Sequence, residues 1–350
     1  MKRSINAIGL GILVISMFQF SCRKETIEEV PTLTTYPASA ITRTSAWTGG
    51  TIISEGSDTI TLQGACWSTH STPTTENSTA SANNISFCGC RLEHLQPNTT
   101  YYVRTFATNS AGTGYGNEVS FTTKPATVSH LFNPGLKYDS VADIEGNIYK
   151  TIEIGTQVWM AENLKTTRFS DGTEIPLLPD DNNLLYYIDP GYCWYENNEA
   201  VFKDIYGGYY NWFAVNTGRL CPTGWHVPTD EEWKVLEMFL GITAEEADEM
   251  GYRGTTAGSK IKESGTINWI EESVFASNET GFTGLPGGSF TLFEPSFGGE
   301  GIVGMWWTDT ELSPDPYNWG YCRWIFWDAS FIARQELLKR DAINVRCIKD

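Results

Sequence analysis

The sequence predicts a multidomain chain in which an all-β sandwich is followed by an α+β domain, both behind an export segment. Three observations predict it. Aromatics make up 13% of the 350 residues, glycine reaches 33 and only 19% are charged, which supplies core material and many turns rather than a disordered chain. Between residues 31 and 124, short alternating stretches are broken by Gly, Ser, Asn and Pro, the pattern of a sandwich. Beyond residue 200 the apolar spacing turns helical before a long half rich in Gly and Trp.

Lys2 and Arg3 precede an apolar run over residues 5–20, too short to span a bilayer comfortably, and Ser21 and Cys22 follow. Residues 1–21 therefore read as a signal peptide. A small residue before a cysteine resembles the lipobox of bacterial lipoproteins, which implies an acylated Cys22. Cleavage without lipid and an uncleaved anchor are the alternatives. Residues 22–30, "CRKETIEEV", resemble the tether of surface-exported lipoproteins in the Bacteroidetes. The expected location is the cell outer membrane, lipid-anchored and surface-exposed. A net charge of -18, from 24 basic and 42 acidic side chains, excludes nucleic acid as the main partner and leaves an N-terminal lipid as the route to the membrane.

Seven cysteines follow Cys22, and in an exported chain they read as disulfides rather than zinc or redox sites. An odd number leaves at least one unpaired. The Cys88-Gly-Cys90 spacing lacks the two intervening residues of a redox motif, so Cys66 is expected to bridge to Cys88 or Cys90.

In the first domain, residues 31–124, Tyr101, Val103, Thr105 and Ala107 alternate onto one face while Arg104 and Thr108 point out. "LQPNTTYYV" resembles the tyrosine corner of fibronectin type III domains, which implies that the Tyr101 hydroxyl bonds back to nearby backbone. His70 and His94 are isolated and read as surface residues. The domain is expected to be a spacer. Residues 125–138 carry prolines and glycine without periodicity and read as a linker with a solvated His130.

Residues 139–350 form the second domain. Its strand-like opening, "GNIYKTIEIGTQVWMAENL", precedes "YGGYYNWFAVNTGRLC", in which Tyr209, Trp212 and Phe213 recur at helical spacing. In "PTDEEWKVLEMFLG", Thr229 and Glu232 have capping-box spacing and Pro228 and Trp233 stand at the staple positions. Trp233, Leu236, Phe239 and Leu240 continue a helix that Gly241 ends. Asp230, Glu231 and Glu232 are then a first turn favoured by the helix dipole, a structural role that outweighs a catalytic carboxylate pair. His226 has no HxxxH or CxxC around it, so a hydrogen-bonded structural histidine outweighs a zinc ligand.

Strands, two helices and a loop-rich half returning to a terminal strand resemble the C-type lectin-like fold. "DIEGNIYKTIEIGTQVWMAENLKTTRFSDGTEIP", "GYCWYEN", "NETGFTGLPGG", "WWTDTE" and "NVRCIKD" look like the Fibrobacter succinogenes major paralogous domain, over nearly all of residues 139–350. The resemblance implies a disulfide from Cys221, after the first helix, to Cys347, beside the last strand. A second bridge, between Cys193 and Cys322, is also expected. The Pro-Thr-x-x-Glu-Trp piece is also similar to formylglycine-generating enzymes, but Cys322 and Cys347 are too far apart in sequence for their paired cysteines, so that activity is not implied.

Calcium-dependent sugar binding in C-type lectins uses a Glu-Pro-Asn or Gln-Pro-Asp tripeptide and a Trp-Asn-Asp tripeptide. Here Glu294 and Pro295 are followed by Ser296, and Asp309 replaces the Asn-Asp pair. No cofactor is expected, although Asp309, Glu311 and Asp315 offer oxygens to a hard cation such as calcium. Trp306, Trp319, Trp324 and Tyr317 crowd the last quarter and are the ligand-binding candidates; Trp306 and Trp307, as strand neighbours, must face opposite sides. The expected function is non-catalytic ligand binding or adhesion, with a glycan as first ligand and an extracellular protein as the alternative partner. A structural interaction module is the second reading and a carbohydrate-active enzyme with paired carboxylates the third.

Overall fold

The computed structural model describes residues 28–83, 89–126, 130–178, 187–270, 276–291, 296–315 and 317–350. Cys22, Cys88, Glu294 and Pro295 lie outside the described residues.

In the first domain the alternation of the longest strand, Thr100–Asn109, organises the packing. Tyr101, Val103, Thr105 and Ala107 are buried, while Arg104 and Thr108 are partly exposed. This strand pairs antiparallel with Leu62–Ser68 and with Gly112–Tyr115 and Val119–Thr122. Opposite it lie the pairs Thr32–Thr35 with Gly50–Ser54 and Ala46–Thr48 with Cys90–Leu92. Leu33, Ala65, Trp67, Leu92, Val103 and Phe121 fill the core. The Tyr101 hydroxyl accepts from the Gln96 backbone N–H at 2.9 Å, so the chain is pinned where it enters the strand.

Among the described residues, the second domain holds three sheets and five short α-helices: α1 (Glu199–Tyr206), α2 (Trp212–Val215), α3 (Asp230–Phe239), α4 (Ala244–Asp248) and α5 (Ala257–Ile261). The helix expected from Tyr209 onward is shorter than its spacing suggests. Tyr209–Asn211 is a strand, because Gly207 and Gly208 break the chain after α1 and the tyrosines pack as sheet residues. The hairpin Ile148–Ile154 with Gln157–Met160 turns at Gly155, whose φ of 63° suits glycine. The closing strand Ile348–Lys349 inserts between that hairpin and Trp225–His226.

The third sheet, in the order Gly251–Arg253, Ile332–Leu338, Trp319–Phe326, Val303–Glu311, is covered on both faces. Trp307, Met305 and Cys322 enter one cluster; Trp306, Ile325 and Ile332 enter the other. The capping box is present on α3, with the Thr229 hydroxyl accepting from the Glu232 N–H at 3.1 Å and the Glu232 carboxylate accepting from the Thr229 N–H at 2.8 Å. Asp230 does more than face the helix dipole. It is buried and takes two bonds from Arg334, at 3.0 and 2.7 Å, and an ion pair from Arg323 at 2.8 Å. Arg323 and Arg253 both reach Glu237 at 2.6 Å, so α3 is bolted to the third sheet by buried charge pairs.

Candidate functional site

The aromatic residues singled out from sequence do not form one platform. Trp306 is fully buried and donates its indole N–H to Asn163 Oδ1 at 2.9 Å, so it is a core residue and not a ligand candidate. Its neighbour Trp307 does face the other side, but a sheet buried on both faces hides both. Trp319 and Trp324 sit five positions apart in one strand and therefore point to opposite faces. Trp324 is half-buried, with its N–H 3.1 Å from Cys322 Sγ. Trp319 and Tyr317 are exposed, at 38% and 47%.

The expected cation loop carries its own cation. Lys339, buried, donates to Glu311 Oε2 at 2.8 Å and to the carbonyls of Ser313 and Asp315 at 2.5 and 3.2 Å, over the ring of Trp212 at 4.7 Å. Asp309 is not drawn in; its backbone N–H donates to Pro228 O, and burial lifts its carboxyl above the ordinary range. An ammonium thus stands where calcium was considered. Among the described residues, no group of three or more His, Cys, Asp or Glu is placed to hold a metal ion.

His226 is half-buried and bonded on both nitrogens, to Asp350 at 2.7 Å and to Glu232 at 2.9 Å. Burial opposes its charge, but the two carboxylates outweigh it and hold the imidazole pKa above its usual value. His130, expected in solvent, donates from Nε2 to Ile205 O at 2.8 Å and lies 3.4 Å from Glu162.

Cys221 and Cys347 are joined, with an S–S distance of 1.99 Å. Cys193 and Cys322 are free thiols buried in separate clusters, so they do not bridge each other. Burial pushes the Cys322 thiol up to about 12. Cys66 and Cys90 are also free and buried. Ala65 and Trp67 face the first domain's core, where Cys90 sits, and alternation turns Cys66 away from it.

The feature that sequence reasoning missed is the seam between the domains. The first domain does not stand off as a spacer. Thr42 Oγ1 accepts from the N–H groups of Thr44 and Ser45, at 3.2 and 3.0 Å, and this tight turn presents Arg43 at its tip. Arg43 is fully buried in the second domain. It donates to Tyr206 Oη at 3.1 Å and Asn268 Oδ1 at 2.6 Å, and lies 3.6 Å from Glu300. Asn268 in turn donates to both oxygens of Glu263, at 3.0 and 2.8 Å. Lys124 donates to the carbonyls of Thr266 and Trp269, at 3.0 and 2.5 Å; burial and the nearby Arg43 charge bring its pKa down to about 8.

Two cavities flank this anchor. One, of about 380 Å³, lies between Arg91, Glu93 and His94 of the first domain and Glu196, Asn197, Phe290, Ser296 and Phe297 of the second. The other, of about 160 Å³, is lined by Thr42, Ser45, Trp47 and Arg91 on one side and by Ile270, Glu300 and Ile302 on the other. Arg91 lines both. Phe290 and Phe297 lie 4.6 Å apart with their rings tilted by 36°, and Phe297 meets Tyr195 at 5.1 Å, so the larger cavity has an aromatic floor. Burial lifts the Glu196 carboxyl above its usual range, and the Glu300 charge adds to this. Glu300 Oε2 is buried with no hydrogen-bond partner among the described residues.

His94, Glu196 and Asn197 all adopt left-handed backbone, with φ of 56°, 50° and 53°. Outside glycine this conformation costs roughly 1–3 kcal/mol per residue and gathers at functional sites. Asn197 and His94 belong to types enriched in it, and Glu196 does not. Chemically, a guanidinium, carboxylates, an imidazole, a carboxamide and a serine hydroxyl beside two tilted rings can bond a polyhydroxylated ligand and cover its apolar face.

Residues 152–349 match the family described as the Fibrobacter succinogenes major domain. No curated protein matches the chain. Solved structures similar to part of it include the sensor domain of the anti-sigma factor RsgI4 in Pseudobacteroides cellulosolvens, at 23% identity over 27% of this chain and 95% of that one, with a TM-score of 0.21. A fibronectin type III domain from the human KIAA0970 protein is 14% identical over 31% of this chain and 85% of that one, TM-score 0.22. Titin kinase and its flanking domains are 14% identical over 40% and 30%, TM-score 0.20.

Proposed function

The chain belongs to the Fibrobacter succinogenes major domain family, and we propose that within it this protein is a non-catalytic binding protein of the cell surface that holds a glycan in the seam between its two domains. The observation that carries the reading is the larger cavity: about 380 Å³, with an aromatic floor and planar polar side chains contributed by both domains. That volume lies within the range of about 300–1,000 Å³ usual for small-molecule sites, which favour domain interfaces. Glu300 lines the adjoining cavity and adds a carboxylate to its wall.

The surrounding assignments belong to the same proposal. The apolar run ending at Ser21 and Cys22 supports a lipid anchor on the outer membrane. The tyrosine corner supports a fibronectin type III-like first domain. The Cys221–Cys347 bridge, tying the segment after α2 to the closing strand, supports a C-type lectin-like second domain.

Glycan-array binding of the full chain, with and without calcium, tests the reading, alongside Arg91→Ala and Phe297→Ala. The expected result is a restricted set of bound glycans, indifferent to calcium, with each variant losing tenfold or more in affinity, Arg91→Ala at an unchanged melting temperature and Phe297→Ala at a lowered one but still folded at the assay temperature. No signal on a broad array, or binding that survives both substitutions, would move the function away from the seam.

A further inference from the structure

The outward face of α3 is apolar where a surface helix is ordinarily polar. Val235, Met238 and Phe239 are exposed at 39%, 42% and 58% and share one stripe by their spacing of three and four residues. Phe239 is held in place from beneath, since its ring lies against the hairpin turn at Gly155, where an added Cβ would come within 2.9 Å of it. A contiguous apolar stripe of this kind marks an interaction surface, whereas a single exposed residue does not.

The charge around the stripe is mostly acidic; the ammonium of Lys260, which donates to the Leu240 carbonyl at 2.9 Å beside Phe239, is itself faced by Glu279 at 3.7 Å. Glu231 extends the stripe by one turn, and α4 follows with exposed Glu245, Glu246, Asp248 and Glu249. Lys234 is the one basic residue between positions 230 and 250, and it is spent: its ammonium reaches Glu231 at 2.7 Å, Asp248 at 2.6 Å and Asp230 at 3.4 Å.

We propose that this face docks a basic amphipathic segment of a protein partner, whose apolar side chains seat on Val235, Met238 and Phe239 and whose lysines or arginines lie opposite Glu231 and the acids of α4. Charge complementarity selects this occupant: Glu231 and Asp248 share the single ammonium of Lys234, and an acidic or neutral partner would also place its polar rim against Glu245, Glu246 and Glu249, which have no ion-pair partner among the described residues. The surface is separate from the seam.

The test uses the full chain and two synthetic helical peptides of one apolar pattern, one built from Leu and Lys, the other from Leu and Glu, with binding read by fluorescence anisotropy at low and moderate salt. The expected result is binding of the Leu–Lys peptide alone, weakened tenfold or more by Phe239→Ser at constant charge and made less salt-dependent by Glu245→Gln with Glu249→Gln. Arg91→Ala leaves it unchanged. Equal binding of both peptides, or a Phe239→Ser variant that binds the Leu–Lys peptide like the parent, overturns the proposal, the latter by showing attraction to acidic surface in general.

Discussion

Replacing Arg43 by Met perturbs the seam at one point and keeps most of the apolar stem in place. The guanidinium that is lost bonds Tyr206 Oη and Asn268 Oδ1 and neutralises Glu300, whose side chain is 3% exposed. Glu300 is left in the interior with the Tyr206 hydroxyl, at 3.4 Å, as its side-chain hydrogen bond among the described residues and the more distant Lys124 charge as the remaining offset. Breaking one side of a buried ion pair costs about 3–5 kcal/mol. At roughly 2–4 °C per kcal/mol for a chain of this order of size, the melting temperature should fall by roughly 6–20 °C. Thermal unfolding followed by circular dichroism reads the shift. Arg43→Met combined with Glu300→Gln should regain more than half of the loss, because removing both charges leaves nothing uncompensated. An Arg43→Met variant that melts within about 2 °C of the parent, or a double variant no better than the single, would refute the anchoring argument.

Further outcomes are expected elsewhere. Thiol labelling of the denatured, unreduced protein should leave Cys221 and Cys347 unmodified while Cys193 and Cys322 react; the bridge spans 126 positions, and its removal should destabilise the fold by about 4–5 kcal/mol in the chain-entropy account. Asp230→Ala should cost about 3–5 kcal/mol by stranding Arg334 in the interior and leaving Arg323 with Glu237 alone, read by urea unfolding. Burial raises the Asp230 pKa, but the arginines outweigh it and hold it low, so its contribution is present above the unfolded carboxyl value of about 3.9 and fades as pH falls through the lower folded value. His226 has the opposite sign. Its folded pKa is raised, so its stabilisation is full below about 6.5 and fades as pH rises through the folded value; His226→Gln should flatten that part of the stability profile, and an NMR titration of the ring should show the upward shift directly.

What was legible in the sequence was local. Thr229 and Glu232 are three residues apart, so a capping box can be read from them alone, and Tyr101 bonds only five residues back. Strand alternation correctly separated Trp306 from Trp307, but it says nothing of what covers each face, and here both faces are packed. Proximity of Glu311 and Asp315 in sequence suggested a cation site, while the cation that fills it, Lys339, comes from 24 or more positions away. The seam was the least legible. Arg43, Arg91, Glu196 and Phe297 come from four separated segments with no shared period, and nothing short of the folded topology brings them together. The one local sign was Arg43 in a Thr- and Ser-rich turn, a charge on a loop with no neighbouring acid.

The most direct test of the central claim is a crystal structure of the full chain with the strongest ligand from the array. The account predicts density for a sugar ring on Phe297, with hydroxyls in reach of Arg91 and Glu196. Ligand density on the Tyr317 and Trp319 loop, with the seam occupied by solvent alone, would contradict it.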